Sequence, residues 1–293
     1  MSDLPFASVL VMTYNRAHLL RRGLGSLLEQ DYPADRYEVV VVSDGSTDDT
    51  ADVVRAHIDA RRPDQPELRF YDIPHGGLNA ARNAAVEAAR GELLCLVDDD
   101  VVAPAGWLSA LVRGYRAYPD AGAFGGPIKL SLERPMPRTC GREELGETVL
   151  DAGPEVCEPE VLYGSNLAVT RAAVDVVGDF DVTLPSSGDE EEWLRRLRAT
   201  GRRILYLPDA EVLHIRTEDD LLLRNLLRKR YQRGRDQVSF DRKVGNRPDP
   251  RAEARQVAAS LVHAARKRCA LGLLPAAAAA GRLVGIAKTR RQG

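Results

Sequence analysis

Three consecutive carboxylates, Asp98-Asp99-Asp100, follow the apolar run Leu93-Leu94-Cys95-Leu96-Val97 without a break. An aliphatic run of this kind is typical of a central parallel strand that is buried on both faces. Three adjacent acids cannot share that burial, so we expect them where the strand emerges at its carboxyl end. Unpaired, they would raise one another's pKa, and a divalent cation would hold them together. The alternative is a solvated acidic turn that starts the next helix near Pro104.

Two other apolar runs also end in polar side chains. Residues 7–12 are followed by Thr13, Tyr14 and Asn15, and residues 38–42 are followed by Ser43 and Asp44. Strand–helix alternation through the first hundred residues predicts an α/β fold with a doubly wound, mostly parallel sheet. Because the carboxyl ends of parallel strands share one edge, we expect these side chains to meet in one crevice. Taken singly, Asp44 also suits a turn before Gly45, and Asn15 a helix cap.

A second acidic run, Asp189-Glu190-Glu191-Glu192, precedes a predicted amphipathic helix. Four acids in a first helical turn suit the helix dipole, which is the structural interpretation. Neighbouring helical side chains point about 100° apart, so only one or two of the four can face a crevice, where one would serve as a general base. His214 follows a short predicted strand at residues 211–213. Such a histidine is either structural or a further metal ligand.

The composition is that of an ordinary soluble protein, with 293 residues, 44% hydrophobic and 29% charged. The sequence has no GxxxxGK[ST] loop and no GxGxxG after its first strand, which disfavours P-loop proteins and dinucleotide-binding oxidoreductases. It also has no GxSxG motif, and none of its five histidines suggests a serine or cysteine nucleophile. A crevice that has acids but no glycine cradle predicts that a cation neutralises bound phosphates.

Charge is distributed unevenly along the chain. The formal net charge is −2, but residues 224–293 contain 18 Lys/Arg against 4 Asp/Glu. We predict a first domain at residues 1–217 and a basic, amphipathic helical extension at residues 218–293, with a linker at residues 244–251 and a helix interrupted by Pro275. The extension would meet an anionic membrane surface through residues 221–291, pack on the domain with a solvated basic face, or form a homo-oligomer contact. We expect no nucleic acid partner.

Cellular location is predicted from the cysteines and the first strand. Cys95, Cys140, Cys157 and Cys269 show no paired metal-ligand spacing, and the first strand begins within about eight residues of Met1, too early for a signal peptide. No run reaches the ~18–20 apolar residues of a membrane span. We therefore expect a cytoplasmic protein, peripheral on the inner face of the membrane.

Residues 130–160 are irregular and are predicted to form part of an acceptor-side flap.

Seven segments within residues 7–216 carry a resemblance to a known family. They are SVLVMTYNR, EVVVVSDGSTDDT, GGLNAARNAA with GELLCLVDDD, YGSNLAV, GDFD, GDEEEWLRRL and PDAEVLH. In order and spacing they resemble the inverting family-2 glycosyltransferases of the GT-A fold. The resemblance implies a Rossmann-like sheet with a C-terminal helical extension. It also implies an enzyme that moves a sugar from a nucleoside-diphosphate sugar, such as a UDP-sugar, to an acceptor hydroxyl in glycan, glycolipid or secondary-metabolite glycoside synthesis.

The resemblance also implies roles for particular residues. Thr13, Tyr14, Asn15, Asp44, Arg82, Asp98 and Asp99 would bind the nucleotide sugar, and Asp100 and His214 would bind Mg²⁺ or Mn²⁺. The family's Glu-Asp pair falls on Asp189-Glu190, so Glu190 is the predicted catalytic base, with Asp189 and Glu191 as substitutes. Two alternatives stay open: a nucleotidyltransferase, for whose triphosphate TYNRAH supplies only Arg16, and a non-catalytic sugar-nucleotide-binding module.

Overall fold

The computed structural model describes residues 4–135, 148–184 and 188–289. Within them the strands are β1 Ala7–Thr13, β2 Tyr37–Ser43, β3 Glu67–Asp72, β4 Leu93–Asp98, β5 Val101–Val102, β6 Ala121–Gly125, β7 Ile128–Leu132, β8 Leu167–Thr170, β9 Arg203–Tyr206 and β10 Val212–Arg216. The helices are α1 Ala17–Leu28, α2 Thr50–Asp59, α3 Leu78–Ala88, α4 Trp107–Ala117, α5 Arg171–Val177, α6 Asp189–Ala199, α7 Leu223–Lys243, α8 Pro250–Lys267 and α9 Leu274–Thr289.

Seven strands form the central sheet, in the order β3-β2-β1-β4-β8-β6-β9. The first four are parallel, whereas β8 runs antiparallel to β4 and β6. The chain winds outward from β1 in both directions, so β1 and β4 flank the point at which strand order reverses. This topology confirms the predicted α/β fold with a mostly parallel sheet. Ligands of such sheets bind beyond the carboxyl ends of strands at this reversal.

Alternating side chains of the buried strands supply two cores, one on each face of the sheet. In β1, Val9 and Val11 join the core that contains Leu24 of α1 and Leu111 of α4. Leu10 and Met12 of the same strand join the opposite core, with Ala85 of α3 and Trp193 of α6. A period of two residues places successive side chains on opposite faces, which explains why an unbroken apolar run is needed here.

A second sheet, of order β5-β10-β7, begins directly after the acidic run. β5 pairs antiparallel with β10, in the register His214 opposite Val101 and Leu213 opposite Val102. The backbone N–H of Ile215 also donates a hydrogen bond of 2.8 Å to the carbonyl oxygen of Asp100. This pairing fixes His214 beside the end of β4, although the two are distant in sequence.

The chain divides into two compact units. Unit 1 comprises Met1–Ser131, Val149–Val182 and Trp193–Ile215, and unit 2 comprises Leu132–Thr148, Thr183–Glu192 and Arg216–Gly293. Unit 2 therefore includes two segments that precede the predicted boundary between residues 217 and 218, and that boundary stays a prediction. Of the predicted flap at residues 130–160, residues 136–147 lie outside the described part of the chain.

Glycines allow two helices of unit 2 to approach closely. A Cβ at Gly234 of α7 would overlap the carbonyl oxygen of Ala278, and a Cβ at Gly281 of α9 would overlap that of Tyr231. Pro275 lies in the first turn of α9, where its missing N–H costs nothing, directly after a 3-10 turn at Ala270–Leu273, so the regular α-helix begins at Leu274, beside the proline. The alanine- and glycine-rich segment is therefore specialised for packing against α7.

Within the described residues, one helical segment, Ala270–Lys288, is long and apolar enough to cross a membrane by length and composition alone. It consists of a 3-10 turn at Ala270–Leu273 and most of α9, and 44% of an 18-residue stretch of it is buried within the protein. The sequence was predicted to have no run of this length because Arg282 ends its longest uninterrupted apolar stretch. The helical segment reaches this length because it also includes Arg282 and Lys288. The same residues pack against α7, so the apolar character of α9 is also explained by its contact with that helix.

Candidate functional site

Asp98, Asp100 and His214 converge beyond the carboxyl end of β4. His214 Nε2 lies 2.8 Å from Asp100 Oδ1 and 4.0 Å from Asp98 Oδ2. One ligand atom from each of the three lies within 4.8 Å of the others. Two carboxylates and an imidazole are a donor set that suits Mg²⁺ or Mn²⁺, so these residues fit a divalent cation. The side chain of Asp98 is 33% exposed, whereas those of Asp100 and His214 are buried.

Asp99 is held apart from this cluster. Its Oδ2 accepts a hydrogen bond of 2.8 Å from the Thr13 hydroxyl, and its Oδ1 accepts one of 2.6 Å from the Arg16 guanidinium. The pKa of Asp99 is raised to about 7, because burial and the neighbouring Asp100 raise it by more than Arg16 lowers it. The acidic run therefore splits, with its middle member turned towards β1 and the other two forming the candidate metal site. The donor-binding roles assigned to Asp98 and Asp99 stay predictions.

Arg16 joins the two halves of the acidic run. Besides its bond to Asp99, its second guanidinium nitrogen donates to Asp100 Oδ2 at 2.7 Å. Burial lowers the pKa of Arg16, but the carboxylates of Asp99 and Asp100 outweigh this effect and leave the pKa raised. The sequence interpretation weighed Arg16 only as a triphosphate ligand. Arg16 follows the end of β1, and β1 lies next to β4, which ends in the acidic run. This position was the sequence feature from which its pairing with the acids could have been predicted.

The turn after β1 is bonded to the turn after β2. The N–H of Asn15 donates to Ser46 Oγ at 3.0 Å, and Asn15 Oδ1 accepts from the N–H of Thr47 at 2.7 Å. Asn15 has a φ of +53°, in the left-handed region that asparagine tolerates better than most residues. The residue thus orders two strand ends at the predicted donor crevice, and its predicted contact with the donor is untested.

Asp44 holds the segment that leads into α3. Its carboxylate accepts from the N–H groups of Gly76 at 2.7 Å and Gly77 at 3.0 Å, and His75 Nδ1 lies 2.8 Å from its Oδ2. Asp44 is only 4% exposed, so it is more than a solvated turn residue before Gly45. Tyr14 stacks on the His75 ring with centroids 4.4 Å apart, and 44% of Tyr14 is exposed. The role of His75 was not predicted, because its only signal in the sequence is the glycine pair that follows it.

Arg82 is buried on the inner side of α3. It is 1% exposed, its Nη1 donates to Asn79 Oδ1 at 3.1 Å, and its guanidinium carbon lies 5.5 Å from the centroid of the Phe180 ring. Arg82 therefore does not lie on a solvated helix face. Cation–π contact and hydrogen bonding compensate for burying the charge. Its predicted contact with the donor stays a prediction.

Asn166 explains part of the YGSN segment. Its side-chain oxygen accepts from Trp107 Nε1 at 2.9 Å, and its nitrogen donates to the carbonyl oxygens of Ala210 at 2.7 Å and Pro127 at 3.2 Å. The amide is fully buried. Because buried polar groups must be paired, this side chain fixes the segments before β7 and β10. It thereby positions the strand that carries His214.

The acids of the second run occupy the first turn of α6 as expected, and they belong to unit 2. Asp189 and Glu192 are buried, whereas Glu190 and Glu191 are partly exposed. Glu192 Oε1 lies 3.3 Å from Lys243 Nζ, which is also in unit 2. By their partial exposure, Glu190 and Glu191 have greater access to solvent than Asp189 and Glu192. Which acid acts as the base stays a prediction.

Residues 8–139 match the sequence model of the family described as Glycosyl transferase family 2. Among proteins of known description, the chain is similar to Glycosyltransferase AglE of Haloferax volcanii, with 29% identity over 239 residues, which are 81% of this chain and 74% of that protein. The similarity therefore extends well beyond the residues that the family model matches.

Solved structures share the fold. The mannosyltransferase PcManGT from Pyrobaculum calidifontis, in complex with GDP-Man and Mn²⁺, superposes with a TM-score of 0.66 at 20% identity, covering 96% of this chain and 88% of that one. Residues 1–349 of TarS from S. aureus, in complex with UDP, superpose with a TM-score of 0.56 at 19% identity, covering 98% and 92%. These similarities establish the GT-A fold.

Proposed function

We propose that this chain, a glycosyltransferase of family 2 with a GT-A fold, moves a sugar from a UDP-sugar to an acceptor hydroxyl in a metal-dependent, inverting reaction. The observation that carries the proposal is the cluster of Asp98, Asp100 and His214 beyond β4. Ligands of open parallel sheets bind at such strand ends. The product would be a glycan, a glycolipid or a secondary-metabolite glycoside.

Asp98, Asp100 and His214 would hold a Mg²⁺ or Mn²⁺ ion. When bound, the ion would offset the negative charge that develops on the diphosphate leaving group. Arg16 keeps the carboxylate of Asp100 oriented through its 2.7 Å hydrogen bond. The mannosyltransferase of the same fold, whose structure contains GDP-Man and Mn²⁺, supports this assignment by analogy.

Donor binding would use the polar groups at the ends of β1 and β2. Thr13, Tyr14, Asn15, Asp44, Arg82, Asp98 and Asp99 are the proposed contacts. The exposed face of Tyr14, supported from behind by His75, offers an aromatic surface to a nucleobase. Asp44 and the turn of Asn15 hold the flanking backbone in place. The complex of TarS with UDP supports a uridine donor by analogy. Because the mannosyltransferase structure contains GDP-Man, guanosine donors must be assayed as well.

The reaction needs a base that removes a proton from the acceptor hydroxyl. We assign this role to Glu190, with Asp189 and Glu191 as substitutes, because the family's acidic pair falls on Asp189-Glu190. As Glu190 takes the proton, the acceptor oxygen forms a bond to the anomeric carbon, and the bond from that carbon to the diphosphate oxygen breaks. Attack opposite the leaving group inverts the anomeric configuration.

A screen of donor hydrolysis tests this function before the acceptor is known. The chain would be incubated with UDP- and GDP-linked sugars, with Mn²⁺, with Mg²⁺ or with a chelator, and release of nucleoside diphosphate would be measured. We expect release from one donor, abolished by the chelator. Pyrophosphate formation from a nucleoside triphosphate and a sugar phosphate would instead indicate a nucleotidyltransferase. Tight donor binding without turnover in any mixture would indicate a binding module.

We further infer that the enzyme works in the cytoplasm, at the inner face of a membrane. The support is the basic extension at residues 221–291, of which residues 290 and 291 lie outside the described part of the chain. A homo-oligomer is the competing use of the same extension, and no nucleic acid partner is proposed. The acceptor hydroxyl would then lie on a molecule accessible from that membrane surface.

A further inference from the structure

Helix α8 has an inner face that packs within unit 2. Ser260 is buried, and Val257, His263 and Ala264 are partly buried. Glu253 Oε1 accepts a hydrogen bond of 2.6 Å from Arg282 Nε. At about 100° per residue, these positions fall on one side of the helix. The opposite side is therefore the outer face.

The outer face carries an apolar strip. Its exposed members are Ala254, Ala258, Leu261, Val262 and Ala265. Leu261 is 51% exposed and Val262 is 48% exposed. On a helical projection the five positions fall within an arc of roughly 100°. A helix that only covers a soluble protein presents polar residues on this side, so the strip needs another explanation.

Basic residues lie alongside and within the apolar strip. Arg251, Arg255 and Arg266 are exposed on the same side of α8, and Lys267 and Arg268 are exposed at its end. Glu253 is the sole acid in the sequence of α8, and it faces inward, paired with Arg282. The outer face of α8 therefore combines apolar side chains with positive charge and carries no carboxylate.

We propose that the outer face of α8 binds the surface of an anionic phospholipid bilayer. An interfacial helix lies in the membrane plane with its apolar side chains below the headgroups and its cationic side chains among the lipid phosphates. Both chemistries are present on this one face. A solvated basic helix would explain the arginines but leave Leu261 and Val262 in water, whereas an apolar contact with another protein would not require three arginines on this side and two further cations at the helix end. Arg255 lies 3.8 Å from Asp249, the exposed N-cap residue of α8, so its charge is partly offset.

The membrane contact belongs to α8 and not to the more apolar α9. Gly281 and Gly285 bring α9 against the backbone of α7 at Tyr231 and Arg235, which uses the apolar surface of α9 inside the protein. α8 thus keeps an unused apolar strip, while α9 does not need a bilayer to bury its side chains. The inference rests on the proposed membrane location and assigns it to one helix face, but it does not depend on the transferase activity, because it concerns a different surface and a different ligand.

Vesicle cosedimentation of the full chain, without donor or metal, tests the proposal. Vesicles of phosphatidylcholine alone would be compared with vesicles containing phosphatidylglycerol, at low and high salt. We expect binding to the anionic vesicles only, weakened by salt. Replacing Arg251, Arg255 and Arg266 by Glu should weaken partitioning at least ~100-fold, since each basic residue near an anionic surface contributes measurably.

A second variant tests the apolar strip. Leu261→Asp together with Val262→Asp should weaken partitioning at least ~tenfold, because apolar insertion is lost. The matched control is Val176→Asp, on α5 of unit 1, where valine is 61% exposed and outside the proposed surface. It should leave partitioning unchanged. Donor hydrolysis in solution, followed in parallel, should be unaffected by both sets of changes.

Three outcomes would overturn the proposal. Absence of binding to anionic vesicles by the unaltered chain is the first. Equal binding by the unaltered chain and the Leu261/Val262 double variant is the second. The third is a dimer, detected by sedimentation, that the double variant dissociates while vesicle binding persists, because this face would then be an interface between two copies. Loss of donor hydrolysis alone would concern the proposed function and would leave this inference intact.

Discussion

His214 Nε2 lies 2.8 Å from the carboxylate of Asp100, and the register between β5 and β10 enforces this proximity. The strand that carries His214 pairs with the two residues that directly follow the acidic run. Backbone hydrogen bonds therefore hold the strand that carries the imidazole. A metal site built in this way is preorganised, which favours tight binding of one cation in a defined position.

Removing either His214 or Asp100 should abolish tight cation binding. For Asp100→Asn and His214→Ala we expect Mn²⁺ affinity, measured by isothermal titration calorimetry, to fall by more than the ~10–100-fold that loss of an outer partner costs. Asp209→Asn is a control, since that carboxylate is 79% exposed. Unchanged Mn²⁺ affinity in both site variants would contradict the assignment.

Arg16→Gln should destabilise the fold. The change leaves Asp99 buried without its charged partner and releases Asp100. Because the Arg16 side chain is 38% exposed, we expect a loss of about 2 kcal/mol in the free energy of unfolding rather than the ~3–5 kcal/mol of a fully buried pair. Urea denaturation measures the loss. Arg16→Lys should restore only part of it, because lysine cannot bridge two carboxylates with a planar fork.

Glu38, at the start of β2, should make the fold sensitive to acid. Burial would raise its pKa, but hydrogen bonds outweigh burial and hold the pKa below its usual range. The donors are the N–H and guanidinium of Arg90, the hydroxyl of Ser8 and the guanidinium of Arg69. A depressed folded-state pKa contributes stability above the unfolded-state value of about 4.3, and this contribution is lost as pH falls through the folded-state value.

Denaturation at several pH values tests the role of Glu38. At pH 7, Glu38→Gln should lower the free energy of unfolding by about 2–4 kcal/mol. Below about pH 4 the free energies of unfolding of the variant and the unaltered chain should become more similar. Glu67→Gln is the matched control, because Glu67 pairs with the same Arg90 but is 52% exposed, and it should cost at most about 1 kcal/mol. A difference that stays constant from pH 7 to pH 3 would argue against the predicted role of Glu38.

Gly281→Ala should disrupt the pairing of α7 with α9. Its new Cβ would overlap the backbone carbonyl of Tyr231, so the helices must separate, at a cost of about 2 kcal/mol or more. Gly25→Ala is the matched control, because Gly25 also lies in a helix but a Cβ there meets nothing within 4 Å. That change should stabilise α1 by about 0.5–1 kcal/mol. Thermal unfolding and amide exchange of α7 and α9 report the two effects, and equal stability of both variants would be inconsistent with the close approach.

Much of the fold could be predicted from sequence because β1, β2 and β4 have unbroken apolar runs. Their polar ends placed Thr13, Asp44 and the acidic run at one edge of the sheet, and the sheet order confirms this edge. It could not be predicted that Asp98 and Asp100 would meet His214 while Asp99 points away from them. Asp99 turns towards Thr13 and Arg16 because of the β1–β4 register, and register is a tertiary property. The metal assignment of His214 was predicted from its strand end, whereas the antiparallel pairing that holds it was not.

The extension was harder to predict. Its basic residues and helices were apparent in the sequence, but the use of each helix was not. Helix α9 has a composition that fits a membrane, an oligomer contact or a packed helix, and only the glycine approach to α7 decides among them for its inner surface. Conversely, the apolar strip of α8 is rich in alanine and was less conspicuous than the leucines of α7. The apolar strip of α8 is distinguished from the apolar residues of α9 by its exposure in the folded chain, which composition does not determine.

The most direct test of the central claim compares Glu190→Gln with the unaltered chain in donor hydrolysis and donor binding. If Glu190 is the base of a sugar transferase, turnover of the nucleotide sugar should fall at least ~100-fold, because proton removal is lost. Donor affinity in the presence of Mn²⁺, measured by calorimetry, should stay unchanged. Glu191→Gln changes the substitute base, and if Glu190 is the base this variant should retain most of the turnover. Turnover by Glu190→Gln at the rate of the unaltered chain would contradict the account.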